Sequence, residues 1–474
     1  MSAEHRTLNP KRREDRRVAV ATLAGTTIEW YDFFIYSNAA ALVLAPLFFE
    51  PFGDSMGDLA ARLISFATVG VSFFFRPLGA MVAGHYGDRL GRKLMLVLTL
   101  VLMGGATVLI GLLPTYDSIG LWAPVLLILL RVLQGFSAGG EWGGAALMAV
   151  EHAPARKRGL FGGFPQVGVP LGMLMAAGVL AVVTATTSEE QFLSWGWRVP
   201  FLLSVLLIVV GMLIRLGVTE SPVFQEVTRN EEQVRLPLVQ MFRFNGRELV
   251  KGAFTFAGNN ASGYMITGGY ILGYTTTELG MDRTTILNLV LLASAAWIVT
   301  TLTAARLSDR IGRVRTYQLG FVVLLATVFP LFLLVDTRNV GLIALAMVVF
   351  TVGLGLTYGP QAAMFAEMFP ARIRYSGAGM AYAFGAIVGG AFAPMIATWL
   401  QARFGTNMAV ATYLAIFAVV ALVAVSTIRD RTGKALVGPD SMDIPGSREL
   451  EDTLKKDRAT VAATPASFDH GAGY

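Results

Sequence analysis

Apolar residues in this chain come in long blocks, separated by short segments that are polar and often basic. Twelve blocks approach or exceed the roughly 20 residues that cross a bilayer core as a helix. They cover 18–48, 60–84, 94–113, 121–149, 159–184, 197–217, 249–277, 285–305, 316–335, 340–367, 376–400 and 407–428. The first and seventh are longer than a bilayer requires, so tilt or a break is expected in both. The pattern predicts an all-α membrane protein of twelve transmembrane helices.

The polar segments repeat. Gly84-His-Tyr-Gly-Asp88-Arg89-Leu-Gly91-Arg92-Lys93 returns, degraded, as Arg306-Leu-Ser-Asp309-Arg310-Ile-Gly312-Arg313-Val-Arg315. Glu151-His-Ala-Pro154-Ala155-Arg156-Lys-Arg158 returns as Glu367-Met-Phe-Pro370-Ala371-Arg372-Ile-Arg374. Both pairs occupy equivalent places among the blocks. The chain therefore reads as two parallel halves of the same fold, the arrangement of two-bundle transporters. The expected organisation is a basic amino terminus (1–17), a six-helix bundle (18–217), a central loop (218–248), a second six-helix bundle (249–428) and a tail (429–474). The loop has room for short interfacial helices. The tail is polar and carries Pro439, Pro445 and Gly446, and is expected to be disordered.

Composition agrees. Of 474 residues, 54% are hydrophobic and 15% charged, against roughly 25% charged in a soluble domain. The 51 glycines lie largely within the apolar blocks, where they let helices pack closely. Lys and Arg collect in alternate loops: Arg89, Arg92 and Lys93; Arg156, Lys157 and Arg158; Arg229, Arg235, Arg243 and Arg247; Arg306, Arg310, Arg313 and Arg315; Arg372 and Arg374. The segments Glu50–Asp58 and Pro114–Gly120 carry none. The basic loops, and with them both termini, are expected to be cytoplasmic. No signal peptide is evident, because the first apolar run is full length. With Cys 0 and only four scattered histidines (His5, His85, His152, His470), neither a disulfide nor a metal site is expected.

Charges inside apolar blocks are expensive and point to function. Glu29 and Asp32 are three residues apart on one helical face, so they are candidates for proton coupling; the alternative is an interfacial or salt-bridged structural pair. Arg131 lies in mid-span with Gln134 three residues on. It either pairs with one of those acids, holds a substrate carboxylate or forms a permanent structural bridge. Arg76, before Pro77, has the same ambiguity, and Pro77 is expected to kink its helix. Tyr36, one turn beyond Asp32, is a further candidate for the substrate site. Gln166, Asn259, Asn260, Tyr264, Tyr358 and Gln361 could line a cavity or only bridge helices. Glu141 is open between function and helix packing. In the repeated loops, Asp88, Arg89, Arg92, Asp309, Arg310 and Arg313 are read as a cytoplasmic gate in which acids cap helix starts or pair with arginines across the halves. There is no Walker phosphate loop, no zincin motif and no domain for nucleic acid. An enzyme is the least favoured class, and no cofactor is implied beyond a coupling proton.

These motifs resemble the major facilitator superfamily: the Gly84–Lys93 loop and its copy, and Arg131-Val-Leu-Gln134-Gly135. Glu29-Trp-Tyr-Asp32-Phe, Phe75-Arg76-Pro77-Leu-Gly79, Gly139-Gly-Glu141-Trp142-Gly-Gly, Phe164-Pro165-Gln166 and Ser194-Trp195-Gly196-Trp197-Arg198-Val-Pro200-Phe201 resemble its metabolite:proton symporter family, nearest to shikimate-type carriers. The resemblance runs to about residue 430. It implies a six-plus-six fold with a central cavity in a bacterial cytoplasmic membrane, and proton-coupled import of an organic acid or a zwitterion; with the buried arginines, a small, anionic organic metabolite is the expected substrate. A proline/betaine-type symporter or a proton-driven exporter of the same fold are the alternatives. The tail lacks the sustained heptads of the proline/betaine branch. A monomer is expected.

Overall fold

The computed structural model describes residues 10–49, 58–229, 237–267, 270–437, 439–453 and 455. Arg6, Glu231, Glu232, Arg235, the loop residues 50–57 and the tail beyond 455 lie outside these, as do the side chains of Lys11, Arg12, Arg13 and Arg16. Among the described residues all regular structure is helical. The long helices are α1 (Pro10–Ala39, running on as a π-helix over Ala40–Phe49), α2 (Asp58–Leu90), α3 (Arg92–Leu112), α4 (Trp122–His152), α5 (Arg158–Thr186) and α6 (Glu189–Leu216). The second half repeats them as α7 (Pro237–Thr267), α8 (Arg283–Ile311), α9 (Arg313–Asp336), α10 (Val340–Met368), α11 (Ala371–Phe404) and α12 (Met408–Ser426). Nine of the described helices are long and apolar enough to cross a membrane. The long helices α1, α2 and α7 mix charged residues into their apolar runs.

Helix pairing follows the repeat. α1 packs on α5, α2 and α3 on α4, and α3 on α6; α7 packs on α11, α8 and α9 on α10, and α9 on α12. The halves meet through two seams, α2 against α11 and α5 against α8, which exchange under the same pseudo-two-fold operation. Glycine sets the tightest pairing. A Cβ on Gly79 would lie 1.7 Å from the Phe136 carbonyl oxygen, one on Gly135 2.0 Å from that of Ser72, and one on Gly139 1.9 Å from that of Arg76. Only hydrogen fits at these three places, so the α2 and α4 backbones touch. That contact fixes Arg76 and Ser72 of α2 against Arg131 of α4.

Three expectations need correction. The motif Gly84–Arg89 is not a loop: α2 continues as helix past Pro77 to Leu90, and Gly91 alone makes the turn at φ 113. Gly312 repeats it at φ 100. Both sit in the positive-φ region that side chains avoid, and a Cβ on Gly91 would also strike the Glu220 carboxylate that caps α3. The central loop is shorter than read, because Pro237–Glu248 is already the first part of α7; Pro222–Arg229 is the one short helix described in it.

The third correction concerns the tail. Residues 429–437 and 439–453 pack across the basic end of the bundles rather than lying free. Leu436, Ile444 and Leu450 are buried, and a short 3-10 helix spans Pro439–Asp443. The Lys434 carbonyl accepts from Arg158 at 2.5 Å and the Leu436 carbonyl from Arg374 at 2.9 Å. The Asn245 amide donates to the Pro445 carbonyl at 2.6 Å. Composition alone underrates the segment, because its partners are carbonyl-seeking arginines of the bundles, not a core of its own. Truncation after Arg429 leaves Arg158 and Arg374 short of acceptors, each worth about 1.5–3 kcal/mol for a charged donor. The expected result is a melting temperature a few degrees lower in detergent, read by intrinsic fluorescence.

Candidate functional site

The seam between the halves carries a buried acid and a buried base inside an aromatic box. Glu29 of α1 is 6% exposed, and its Oε2 has no hydrogen-bond partner. Arg76 of α2 is 2% exposed, and its Nε likewise has none. The Arg76 guanidinium lies 4.2 Å from the Phe73 ring centre, 5.5 Å from that of Phe33 and 5.7 Å from that of Trp30. Tyr264 of α7 closes the box from the other half, 5.7 Å from Phe73 and 6.5 Å from Phe33, its hydroxyl unpartnered. Polar atoms buried without partners are costly, and a bound ligand or water would satisfy these three.

Arg131 is differently placed. Its Nη1 donates to Gln134 Oε1 at 2.8 Å and its Nη2 to Ser72 Oγ at 3.0 Å, and its guanidinium lies 3.8 Å from the centre of the Tyr36 ring. Tyr36 and Thr68 share a hydrogen bond of 2.8 Å. Gln134 donates onward to Thr107 at 2.8 Å, and Thr107 neighbours Asp32. Arg131, Gln134 and Tyr36 therefore form one network tying α1, α2, α3 and α4. Asp32 does not share the Glu29 environment. It points between α3 and α6, where Ser204 Oγ donates to Oδ1 at 2.5 Å, and Oδ2 faces Gly104. Three residues of helix leave about 60° between the two side chains, enough to send them to different neighbours.

On the basic-end side of this box the seam is shut by side chains from both halves. Trp142 of α4 stacks on Tyr382 of α11 at 4.0 Å, and Tyr382 on Phe256 of α7 at 4.4 Å. Gln166 accepts from Trp142 Nε1 at 2.8 Å and donates to the Tyr358 carbonyl at 3.2 Å and to Gln361 at 3.5 Å. Tyr358 and Tyr382 are in hydrogen-bond contact. Asn259, by contrast, is held by Thr357 at 2.6 Å within the second half, and Asn260 by the Ala386 carbonyl at 3.2 Å. Gln166, Tyr358 and Gln361 are thus brought together, and Asn259 is not among them.

At the basic end the repeated aspartates clamp the halves. Asp88 accepts from the backbone N–H of Tyr375 and Ser376 at 3.2 and 3.0 Å, at the start of the main run of α11. Asp309 accepts from Gly159 and Leu160 at 2.8 and 2.9 Å, at the start of α5. Each caps a helix of the opposite half, where the helix dipole adds to the attraction. Their arginine contacts stay within their own half: Arg92 lies 3.4 Å from Asp88 and Arg313 2.8 Å from Asp309. Of the two readings, a helix cap or an Asp–Arg pair across the halves, the structure has the cap, on a helix of the opposite half. Among the described residues a cross-half ion pair joins Glu151 to Arg374 at 3.2 Å. Arg89 and Arg310 are exposed.

Relatives agree with this architecture. The family model described as Major Facilitator Superfamily matches residues 25–394. The chain belongs to the Major Facilitator Superfamily. It is 41% identical over 415 residues to the inner membrane metabolite transport protein YhjE of Escherichia coli K12, covering 86% of this chain and 92% of that protein. It is 41% identical over 404 residues to the shikimate transporter of the same organism (84% and 91% covered). A putative proline/betaine transporter of Staphylococcus aureus is 33% identical over 425 residues (89% and 90%). Among solved structures, the proton:xylose symporter XylE bound to 6-bromo-6-deoxy-D-glucose superposes with a TM-score of 0.75 at 18% identity, covering 94% of this chain and 99% of that one. As a member of the superfamily the chain is an integral membrane transporter and not an enzyme.

Among the described residues no cluster of three or more His, Asp or Glu could hold a metal ion. Several residues of the site escaped the sequence reading. Tyr382, Phe256 and Phe73 sit in apolar runs where aromatics carry no signal. Arg215 stood at a span end and resembled a topology charge. Glu220 and Asp430, which cap α3 and α9, follow the sixth span of each half; their matched positions were the signal available.

Proposed function

We propose that this chain is a proton-coupled symporter that imports a small organic acid of the shikimate, hydroxy-acid or keto-acid type, with its basic end and both termini in the cytoplasm. The observation that carries the reading is Arg76, buried at the seam with an unpartnered Nε and with Glu29 nearby. A carboxylate on a short carbon frame would satisfy the guanidinium, and the rings of Phe33, Phe73 and Tyr264 would cover the frame. Arg131 has Gln134, Ser72 and Tyr36 as partners already, so Arg76 is the substrate arginine in this reading, with Arg131 holding α1, α2 and α4 in register. Glu29 is the proton carrier: loading it neutralises a buried charge and lets the bundles rearrange around a filled site.

A zwitterion such as proline or betaine is the second reading, since aromatic faces beside an acid suit a ligand cation. Here Arg76 itself already lies over those faces, which favours the anion. Purified protein in liposomes distinguishes them. With shikimate, citrate, 2-oxoglutarate, proline, betaine and xylose as probes, uptake of an acid with simultaneous proton entry is expected. Transport of proline or betaine alone would overturn the substrate class. Uptake indifferent to collapse of the pH gradient and membrane potential would overturn the coupling.

A further inference from the structure

Arg215 and Glu141 form a second buried charge pair, both members from the first half, that the substrate reading does not use. Arg215 of α6 is 5% exposed and Glu141 of α4 is 2% exposed. The Arg215 guanidinium donates to Glu141 Oε1 and to the Leu96 carbonyl, and Thr99 donates to Glu141 Oε2 at 2.7 Å. Its place on α1 is marked by a glycine: a Cβ on Gly25 would lie 2.4 Å from Arg215 Nη2. Gly25 is one helical turn from Glu29 on the same face, and Thr22 is about one turn further toward the basic end. Thr22 and Arg215, with Lys93, Leu96 and Met148, line a small cavity at that end.

We propose that Glu141, held by Arg215, accepts the proton that Glu29 gives up and releases it to the basic end through this cavity, inside the N-terminal bundle and apart from the substrate path. The proposal rests on the proton-symport reading above. In the step, the O–H bond of the Glu29 carboxyl breaks and an O–H bond forms on Glu141, directly or through a bridging water. Arg215 then carries an uncompensated positive charge, which favours loss of that proton to water in the cavity. No electrons move: Glu29 is left as a carboxylate ready to be loaded again, and Glu141 returns to the carboxylate it was.

The surroundings bring the two acids within electrostatic reach of each other. Glu141 is foremost among the charged groups facing Glu29, followed by Arg76 of α2, Arg215 of α6 and Asp32 of α1 itself. The phenols of Tyr264, Tyr358 and Tyr382 face it from α7, α10 and α11. Glu141 is faced by Arg215, Glu29 and Tyr375 of α11. On the seam itself, the Trp142–Tyr382–Phe256 stack lies between the box and the basic end. A proton taken through α1, α4 and α6 need not wait for the halves to part.

Full-length protein in liposomes, loaded with a pH-sensitive dye, tests this with shikimate, or with whichever probe of the screen is carried. For Glu141→Gln, equilibrium counterflow of substrate within about twofold of wild type is expected, while substrate-driven proton entry falls roughly tenfold or more, the scale of a lost proton-transfer group. The charge-neutral double variant Glu141→Gln/Arg215→Gln is expected to behave the same way. Full proton entry in either variant would overturn the proposal. So would loss of counterflow and proton entry together in both, since the pair would then be scaffold. Wild-type protein that moves substrate without protons would refute the symport reading itself, a result separate from either of these.

Discussion

Arg76→Gln is expected to abolish saturable uptake while leaving a folded, inserted protein. The variant keeps a hydrogen-bonding side chain and removes only the charge meant for the substrate carboxylate. Truncating one partner of a buried, hydrogen-bonded charge pair costs about 2–5 kcal/mol, or upward of ~30-fold in affinity. Glu29 should not fill the gap, because it would then face the substrate as a like charge. Arg131→Gln is the control with the opposite signature. Its guanidinium joins Gln134, Ser72 and Tyr36 across α1, α2 and α4. Its loss is expected to lower the melting temperature by several degrees, with the remaining folded protein still binding substrate. A thermal-shift titration with the transported acid reads both effects together: ligand stabilisation vanishes in the first variant and persists from a lower baseline in the second. If Arg76→Gln keeps ligand stabilisation and Arg131→Gln loses it, the two arginines have been assigned the wrong way round.

How far the sequence could reach is clearest at these arginines. Their cost in an apolar run made them visible, and the Arg131–Gln134 spacing is an interaction within one helix, so that bond was within reach of the spacing alone. What Arg76 meets depends on how α1 and α2 approach each other and on Tyr264 arriving from the other half. No local pattern encodes either. The repeat made Asp88 and Asp309 recognisable as a pair, because identical folds need identical turns. That each would cap a helix of the opposite half required the seams α2–α11 and α5–α8, which only tertiary packing supplies. The Glu29–Asp32 spacing pointed to one shared face, yet about 60° of helix rotation sends Asp32 toward Ser204 and Gly104 instead. The tail misled by composition: its order comes from acceptors it offers to Arg158 and Arg374, and a low apolar count does not report on acceptors.

Asp88→Asn and Asp309→Asn should each loosen the basic end, and together they should hold the transporter open there. Each aspartate accepts from two N–H groups at a helix start of the opposite half. Asparagine keeps the size but loses the negative charge and turns one acceptor into a donor aimed at those N–H groups. The loss per site is about 1.5–3 kcal/mol for charge-assisted hydrogen bonds, with the helix-dipole share included in that range. A shift of that size moves the closed-to-open ratio at this end by ~10- to 150-fold, and two independent sites add. The chain has Cys 0, so a single introduced cysteine reports without background. Ala80→Cys suits, since Ala80 is 1% exposed and faces Gly379 across the α2–α11 seam. Maleimide labelling of that cysteine is expected to accelerate roughly tenfold in each single variant and more in the double, while uptake falls and the amount of inserted protein does not. Unchanged labelling with full transport would mean the aspartates serve only their own helices. Faster labelling with full transport would mean that closing this end does not limit the cycle. The double variant then separates a clamp from a mere cap: if both seams close in one step, the two losses act on a single closed-to-open ratio and their effects sum, whereas losses confined to the two helix starts leave labelling unchanged.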